Sequence, residues 1–464
     1  MEYFALPGEV SKARFAQGFG AAENGKGGGG GSKSSSRPGF ASRAFRGDAF
    51  PMLSRAVLLY SVLLSPCVSS YRPHPKGGAE CKTDWDCTLG GGCEGGVCIC
   101  DAAFTGANCT YFDMLPTPGA AYNQSNSSSW GGRANYCPED SLWHMHVSEM
   151  GYGCGLDDWE PGSTIVHATS ATLWGPYTRS SVVAPAFSHN AEAWRMPDGS
   201  WVLGQVGSGD LDPKYNGTVK DCRSTGNGTT PRNPPMIPPQ TLPGWVPWGV
   251  HRSTTGPGGP FLPFNFSGGW HNSPQIGGWS IKQTWNGSWV STAGGGGMGT
   301  LSTAADWRGN WTAHPKRVLP ASLKPNFTAD EDPDIFVTAR GYYHLVVHNW
   351  GWPCQESGNY SWWSDGNTNT GGCGAHWYSA NGEDWMWSPT VLYNSTIVFT
   401  DGSVRDFGRE RPKVIMDPTH TFPIALMNGV AEHCCGNVGP ELDDKTSTMI
   451  VPLVTPKPVP PMGA

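Results

Sequence analysis

Charged side chains gather at two points of the sequence, each directly before an apolar segment. Glu331 and Asp332 precede one such segment, and Glu410 lies between Arg409 and Arg411 before another. Two carboxyl groups on opposite sides of a bound molecule, one protonated and one ionised, can carry out general acid–base chemistry. Because Asp332 and Glu410 are far apart in the chain, this chemistry depends on a fold that brings them together.

Both points belong to a unit that recurs along the chain. Glu331–Asn349 has the alternating apolar pattern of two antiparallel strands, joined by a tight turn at Arg340-Gly341. Five such units are recognised by their turns, which begin at Asp140, Asp198, Asn286, Arg340 and Thr419. Their first strands are predicted to start near Trp130, Ser188, Ser273, Glu331 and Arg409. The repetition predicts an all-β chain folded as a five-bladed β-propeller; one or two β-sandwiches are the alternative.

In a propeller, the innermost strands surround a central funnel, so the residues that start these strands converge. The polar residues at these starts are Arg133, His189, Asn190, Gln275, Glu331, Asp332, Arg409, Glu410 and Arg411. We therefore expect a binding site in the funnel.

Six cysteines between Cys81 and Cys109 mark a small module that needs covalent cross-links, because a segment this short cannot bury a core. The segment Cys98–Cys109 resembles the C-terminal half of an EGF-like module. That resemblance implies the pairs Cys81–Cys93, Cys87–Cys98 and Cys100–Cys109. The acidic pattern of calcium-binding EGF-like modules is missing before Cys81, so we expect no calcium there.

Seven further cysteines follow in the propeller region: Cys137, Cys154, Cys222, Cys354, Cys373, Cys434 and Cys435. Cys137–Cys154 and Cys354–Cys373 are expected as local bridges, and the odd number leaves one thiol over. The sequence does not assign the others.

The N-terminal region predicts entry into the secretory pathway. Residues 1–51 are rich in Gly and Ser and are predicted to be disordered. Arg55 followed by the apolar run Ala56–Val68 predicts a signal peptide over residues 52–70, with Met52 as the true start. The alternative is a type II signal anchor that places the protein in the Golgi lumen. The predicted domains are an EGF-like module (71–113), the propeller (114–455) and a Pro-rich tail (456–464).

Composition agrees with a turn-rich, secreted protein. The 464 residues include 64 Gly and 40 Pro, and the net charge is −7 without a basic block in the folded part, which argues against nucleic acid and anionic membranes as partners. Sequons for N-glycosylation occur at Asn108, Asn123, Asn126, Asn216, Asn227, Asn265, Asn286, Asn310, Asn326, Asn359 and Asn394. We expect no cofactor, no metal and no stable membrane span, and we expect the EGF-like module to contact an extracellular protein partner.

The five-unit layout, the Glu331-Asp-Pro333 motif and the Arg409-Glu-Arg-Pro412 motif resemble the five-bladed glycoside hydrolases of families 43 and 32, over roughly residues 114–455. The resemblance implies that Glu410 is the general acid and Asp332 a charge-stabilising carboxylate, and that carbohydrate is the ligand. Cleavage of a glycosidic bond also needs a second carboxylate on the opposite face of the sugar.

The first blade departs from the pattern of these families. They keep an Asp at the start of its inner strand, whereas this chain has Trp130-Gly-Gly-Arg133. Asp157, Asp158, Glu192 or Glu331 would have to substitute for it. The sequence therefore leaves two functions open: a secreted glycosidase-like enzyme, or a non-catalytic carbohydrate-binding or adhesion glycoprotein.

The immediate neighbours of Glu410 and the strand histidines each allow two interpretations. A guanidinium beside Glu410 would oppose its role as a proton donor unless Arg409 and Arg411 have other partners. In the alternative interpretation, Asp332 and Glu410 only cap strands or pair with nearby arginines.

The residues His144, His146, His344 and His348 alternate on second strands, which suits hydrogen bonds between blades better than a metal site.

Overall fold

The computed structural model describes residues 75–207, 216–224, 227–245, 249–266, 278–293, 300–318, 330–349, 373–388, 390–432 and 444–456. The predicted N-terminal extension (1–51), signal peptide (52–70), Gln275, Cys354, Cys434 and Cys435 lie outside these residues. No helix in the described ranges is long and apolar enough to cross a membrane.

The first described region is a small disulfide-rich module. It contains a 3-10 helix (Asp84–Cys87) and the strands β1 (Gly91–Glu94), β2 (Val97–Cys100), β3 (Phe104–Thr105) and β4 (Tyr111–Phe112). The disulfides Cys81–Cys93, Cys87–Cys98 and Cys100–Cys109 are those implied by the EGF-like resemblance. The cross-links replace the core that so short a segment cannot build.

The remainder is a five-bladed β-propeller, as predicted from the repeats, with antiparallel strands in each blade. A short strand, β5 (Ala120–Tyr122), precedes the blades. Blade 1 consists of β6 (Ser129–Cys137), β7 (Leu142–Met150), β8 (Ser163–Ser170) and β9 (Thr178–Ala184). Blade 2 consists of β10 (His189–Arg195), β11 (Trp201–Val206), β14 (Val250–Ser253) and β15 (Leu262–Phe264), with the hairpin β12 (Val219–Lys220) and β13 (Met236–Ile237) inserted.

Blades 3 and 4 each contain four consecutive strands. Blade 3 consists of β16 (Trp279–Gln283), β17 (Trp289–Ala293), β18 (Thr300–Ala304) and β19 (Thr312–Arg317). Blade 4 consists of β20 (Asp330–Val337), β21 (Tyr343–Asn349), β22 (Gly374–Ser379) and β23 (Met386–Trp387). The described inner strand of blade 3 therefore starts at Trp279, whereas the sequence pattern placed its start near Ser273.

Blade 5 contains strands from both the beginning and the end of the propeller sequence. It contains β24 (Thr396–Val398), β25 (Val404–Met416), β26 (Pro423–Glu432) and β27 (Thr446–Pro452), and β5 pairs with β27 as its outermost strand. The Thr117 hydroxyl adds a hydrogen bond of 2.8 Å to the carbonyl of Ile450. This pairing closes the ring, because the last blade is completed by the strand that precedes the first.

Short helices lie between the second and third strands of blade 1. They comprise Gly151–Gly153, Leu156–Asp158 and the single α-helical turn α1 (Trp159–Gly162). The segment is tied to the blade-2 insertion by a disulfide between Cys154 and Cys222. Trp159 lies over His189 at the start of β10, with ring centroids 5.1 Å apart.

The predicted Cys137–Cys154 bridge is therefore wrong, and Cys137 is a free, buried thiol. Cys137 is paired with Leu142 at one end of the β6–β7 hairpin, whereas Cys154 follows the far end of β7. A strand of nine residues separates the two sulfurs by about 30 Å. Cys373 is disulfide-bonded, while Cys354 lies outside the described residues.

The module and the propeller share one buried cluster. Phe104 and Phe112 pack with Phe336 of blade 4 and with Leu426 of blade 5. At the edge of this contact, Arg340 donates to both carboxylate oxygens of Asp101 at 2.8 and 2.9 Å. The module is therefore a packed part of the propeller and not a loose spacer.

Candidate functional site

A ring of five residues surrounds the funnel where the inner strands begin, and we call it the upper ring: Gly131, Asn190, Gly278, Asp332 and Arg411. Each has a positive φ, between 54° and 117°. Four of them lie at a β-bulge, where one extra residue locally turns the strand. Glycine, Asn and Asp tolerate this left-handed conformation best, so Arg411 is held in it against its own preference.

Asp332 is the centre of the upper ring. Its Oδ1 accepts a hydrogen bond of 2.6 Å from the Asn190 amide and an ion-paired hydrogen bond from the Arg411 guanidinium. Gly278 approaches so closely that a Cβ atom would lie 2.9 Å from the Asp332 Cα. Burial raises the pKa of Asp332, and the charge of Arg411 opposes this rise. The carboxylate is thus fully enclosed by side chains from blades 2 and 5 and by the backbone of blade 3.

Two residues further along each inner strand lies the lower ring: Arg133, Glu192, Ser280, Asp334 and Lys413. Asp334 accepts a hydrogen bond of 2.8 Å from Ser280 and pairs with Lys282, and the Arg133 guanidinium lies 3.5 Å from it. Glu192 pairs with Lys413 and lies 3.8 Å from Arg133.

The lower ring and Lys282 combine three cationic side chains with two carboxylates. Burial opposes the ionisation of Asp334, but Lys282, Arg133 and Lys413 together lower its pKa. Burial raises the pKa of Glu192, although Lys413 and Arg133 act in the opposite direction. All of these side chains are nearly inaccessible to solvent. The lower ring therefore forms a dry, ionic floor beneath the upper ring.

Glu410 is positioned differently from the other funnel carboxylates. Its side chain is 19% exposed, whereas those of Asp332, Asp334 and Glu192 are at most 1% exposed. Its Oε1 lies 3.4 Å from Nε2 of His348 on β21. Burial, together with the charge of Arg411, lowers the pKa of His348 well below its usual value, so the imidazole is neutral. Glu410 is thus partly exposed to solvent and has a neutral imidazole beside it.

The two arginines beside Glu410 have partners of their own. Arg409 donates to Oδ1 of Asn428 at 3.0 and 3.3 Å and to the carbonyl of Asn394 at 3.0 Å, and its guanidinium lies over Tyr393. Arg411 pairs with Asp332. Arg409 is directed away from the funnel into the core of blade 5. It therefore does not oppose a role of Glu410 as proton donor, as the sequence alone had allowed.

The first-blade position is occupied by glycine for a steric reason. A Cβ atom on Gly131 would lie 2.7 Å from the Cβ of Arg411, and one on Gly132 would lie 2.4 Å from the carbonyl oxygen of His146. The space beside blade 1 is therefore filled by Arg411. Any carboxylate at this position would have to displace both Arg411 and its partner Asp332.

The acidic residues considered as substitutes lie elsewhere. Glu192 belongs to the lower ring, and Asp158 is buried 3.3 Å from the Lys220 ammonium. Asp157 is exposed in the blade-1 insertion. Only the backbone of Glu331 is described.

The structure brings together most, but not all, of the site residues predicted from the sequence. Asn190, Asp332 and Arg411 meet in the upper ring, and Arg133 lies beneath them. His189 is buried beside the upper ring, where its Nδ1 contacts the Ser163 hydroxyl at 2.8 Å. Arg409 faces the core, and Gln275 lies outside the described residues.

Five funnel residues were not predicted from the sequence: Gly278, Ser280, Lys282, Asp334 and Lys413. His348 was predicted only as a residue that forms hydrogen bonds between blades. The lower ring could have been found by taking the second residue after each bulge, because side chains two apart on a strand share a face. Gly278 was not predicted because the sequence pattern put the start of the inner strand of blade 3 near Ser273, which lies outside the described residues.

Fold and site together define a five-bladed propeller whose described funnel residues include three enclosed carboxylates and one partly exposed carboxylate. No family model matches the chain, and no curated protein matches it. Among solved structures, it is similar to the catalytic domain of a glycoside hydrolase family 62 α-L-arabinofuranosidase from Coprinopsis cinerea. The identity is 11%, the TM-score is 0.43, and the match covers 74% of this chain and 97% of that one.

Two further matches are a putative exo-β-1,3-galactanase from Bifidobacterium bifidum and a family 43 β-1,3-galactosidase. The first has 10% identity, a TM-score of 0.38 and coverage of 74% and 93%. The second has 11% identity, a TM-score of 0.38 and coverage of 74% and 62%. A member of family 43, one of the two families that the sequence resembles, is thus among the similar structures. Scores this low support no conclusion about activity or substrate.

Proposed function

We propose that this protein binds carbohydrate in the propeller funnel without hydrolysing it. The observation that carries the proposal is the filling of the first-blade position by Arg411, which binds Asp332 and leaves Gly131 no room for a side chain. Hydrolysis needs a second carboxylate across the sugar from the acid. Here the charge of Asp332 is already engaged by a guanidinium and an amide.

The accessible part of the funnel offers donors and acceptors suited to sugar hydroxyls. Glu410, which is 19% exposed, accepts hydrogen bonds, and the partly exposed Arg411 guanidinium donates them, while the buried His348 lies beside Glu410. Arg411 is held in place by its ion pair with the buried Asp332. A rigid set of polar groups above a closed floor favours binding because little conformational entropy is lost.

A second candidate function is hydrolysis with Glu410 as the general acid and Asp332 as the charge-stabilising carboxylate. The observation that favours it is the partial exposure of Glu410 beside a neutral imidazole, which sets it apart from the enclosed carboxylates. In this case the base would have to come from outside the described residues.

One experiment separates the two functions. The full-length protein is tested for binding on an array of plant, fungal and animal glycans, and for release of reducing sugar from the corresponding polysaccharides. The variants are Glu410→Gln and, as the matched control, Glu383→Gln, an exposed carboxylate on blade 4. We expect binding without release, and weaker binding only for Glu410→Gln.

Sugar release that disappears in Glu410→Gln and persists in Glu383→Gln would replace the binding proposal with hydrolysis. Absence of both binding and release across the panel would contradict both functions.

We also propose that the protein is a secreted glycoprotein. Three disulfides in one short module and a fourth in the propeller support an oxidising compartment. At the sequons of Asn227 and Asn286, the side-chain oxygen accepts hydrogen bonds from within its own turn. Both asparagines are exposed. Peptide:N-glycosidase treatment should lower the intact mass by several glycans, and an unchanged mass would contradict the proposal.

A further inference from the structure

A second cluster of reactive side chains lies in blade 1, outside the funnel. Cys137 ends β6, Asp140 lies in the following turn, and His144 lies on β7. The Cys137 sulfur, a carboxylate oxygen of Asp140 and a ring nitrogen of His144 all lie within 4.8 Å of one another. Cys137 and His144 are buried, whereas the Asp140 side chain is 44% exposed.

This set of donors matches the preferences of a zinc-type ion. Zinc accepts sulfur, imidazole nitrogen and carboxylate oxygen at roughly 2.0–2.3 Å, usually with tetrahedral geometry. Ligands around such an ion are separated by roughly 3.5 Å, which small side-chain rotations provide from the observed positions. Because Asp140 is partly exposed, water can supply the fourth ligand.

The histidine is already oriented as a metal ligand requires. Nδ1 of His144 is 2.9 Å from Nε2 of His167 on β8, and the two rings are nearly parallel. This contact directs Nε2 of His144 toward Asp140, at 3.0 Å. Trp201 of blade 2 packs edge-on against His144 and closes the inner side. Metal-bound histidines generally have a partner of this kind on the other ring nitrogen.

Blade 4 contains the same histidine pair without the other two donors. Nδ1 of His344 is 2.9 Å from Nε2 of His376, again with nearly parallel rings. The corresponding hairpin carries Thr338 and Arg340 in place of the thiol and the carboxylate. The histidine pair is therefore part of the propeller scaffold, and the thiol and carboxylate at its end are specific to blade 1.

We propose that Cys137, Asp140 and His144 bind one zinc-type divalent cation. Binding releases the thiol proton to solvent, so that the thiolate is the ligand. The thiol otherwise lies 3.1 Å from the Glu139 carboxylate, which in turn pairs with Arg195. The ion would cross-link the turn between β6 and β7 where no disulfide does. This inference revises the expectation from the sequence alone, which assigned no metal, and it is independent of the proposed function.

The test uses the full-length protein, stripped of metal, incubated with zinc chloride and dialysed before the metal content is measured. We expect about one zinc ion per chain for the wild type and for His344→Gln, the matched control in blade 4. Cys137→Ser and His144→Gln should bind zinc at least tenfold more weakly. Cobalt in place of zinc should give a thiolate charge-transfer band in the near ultraviolet that Cys137→Ser lacks.

The exposed Asp140→Asn change keeps the test decisive if a buried variant fails to fold. It should weaken zinc binding while leaving the melting temperature of the metal-free protein unchanged. Equal zinc content in the wild type, Asp140→Asn and Cys137→Ser would overturn the proposal, as would a wild type that retains no zinc.

Discussion

At the scale of single residues, the ion pair between Asp332 and Arg411 decides what the funnel can do. The Asp332 side chain is fully buried and the Arg411 side chain is 11% exposed. Removal of one partner leaves a buried charge uncompensated, which costs about 3–5 kcal/mol. We predict that Asp332→Asn lowers the free energy of unfolding by this amount, as measured by denaturant titration. Asn is chosen because it tolerates the positive φ of 56° and isolates the effect of charge.

The control for this prediction is Asp384→Asn. Asp384 pairs with Lys316 on the outer surface, where both side chains are more than half exposed. Solvent screens such a pair, so the unfolding midpoint should hardly change. Equal destabilisation by both substitutions would show that the buried Asp332–Arg411 pair contributes no more to stability than the exposed Asp384–Lys316 pair.

Asp158 gives a second prediction at the residue scale, concerning pH. Burial raises the pKa of Asp158 from 3.8 to about 7, although Lys220 lowers it in part. The folded state therefore keeps a proton up to about pH 7 that the unfolded chain releases near pH 4. Since the folded state binds more protons in this range, its stability falls as pH rises from 4 to 7, by roughly 4 kcal/mol at most.

We predict that Asp158→Asn removes this dependence. The measured quantity is the difference between variant and wild type in the free energy of unfolding, at pH 4.5 and at pH 7.5. The free energy of unfolding of Asp158→Asn should rise relative to that of the wild type between pH 4.5 and pH 7.5. A constant difference would mean that Asp158 is ionised throughout, stabilised by Lys220.

At the scale of the strand, a bulge near the start of the inner strand positions the ring residues of blades 1, 2, 4 and 5. Gly131 shows what this geometry demands, because it combines a φ of 67° with a Cβ position only 2.7 Å from Arg411. We predict that Gly131→Ala destabilises the protein by about 2–4 kcal/mol, through left-handed strain plus overpacking. Thermal and denaturant unfolding measure the effect.

Gly199 provides the matched control for the strand prediction. It has a similar φ of 78° in the β10–β11 turn, but a Cβ atom there would meet nothing within 4 Å. Gly199→Ala should therefore cost only the backbone strain, about 1–2 kcal/mol. If the two substitutions were equally costly, the close approach to Arg411 would be energetically unimportant.

The strand scale also explains how far the sequence could predict this protein. The five units were recognisable because alternating apolar residues and polar turns are local features, and the turns at Asp198, Asn286 and Arg340 do join the first and second strands of their blades. Bulges are different: they are set by contacts between blades, such as Asp332 with Asn190 and Arg411, which no local pattern encodes. Ser280, Asp334 and Lys413 of the lower ring were missed for the same reason, and so was the bridge from Cys154 to Cys222, which joins two insertions.

At the scale of the whole molecule, the propeller is closed in two ways. The strand β5 completes blade 5, and the disulfide-rich module packs on blades 4 and 5 through Phe104 and Phe112. The backbone N–H of Ala103 also donates to the carbonyl of Val454 at 2.8 Å, next to the end of β27. The module thus stabilises the blade at which the ring closes.

This shared core predicts that module and propeller unfold together. Replacing both Cys100 and Cys109 with Ser removes a cross-link from the module and should cost about 2–5 kcal/mol. Because Phe104 and Phe112 belong to the core of blades 4 and 5, the loss should lower the melting temperature of the entire protein in one transition. Tryptophan fluorescence reports mainly on the propeller, because Trp85 is the only tryptophan of the module, and far-ultraviolet circular dichroism reports on the whole chain. A separate early transition, with the tryptophan signal unchanged, would instead make the module an independent domain.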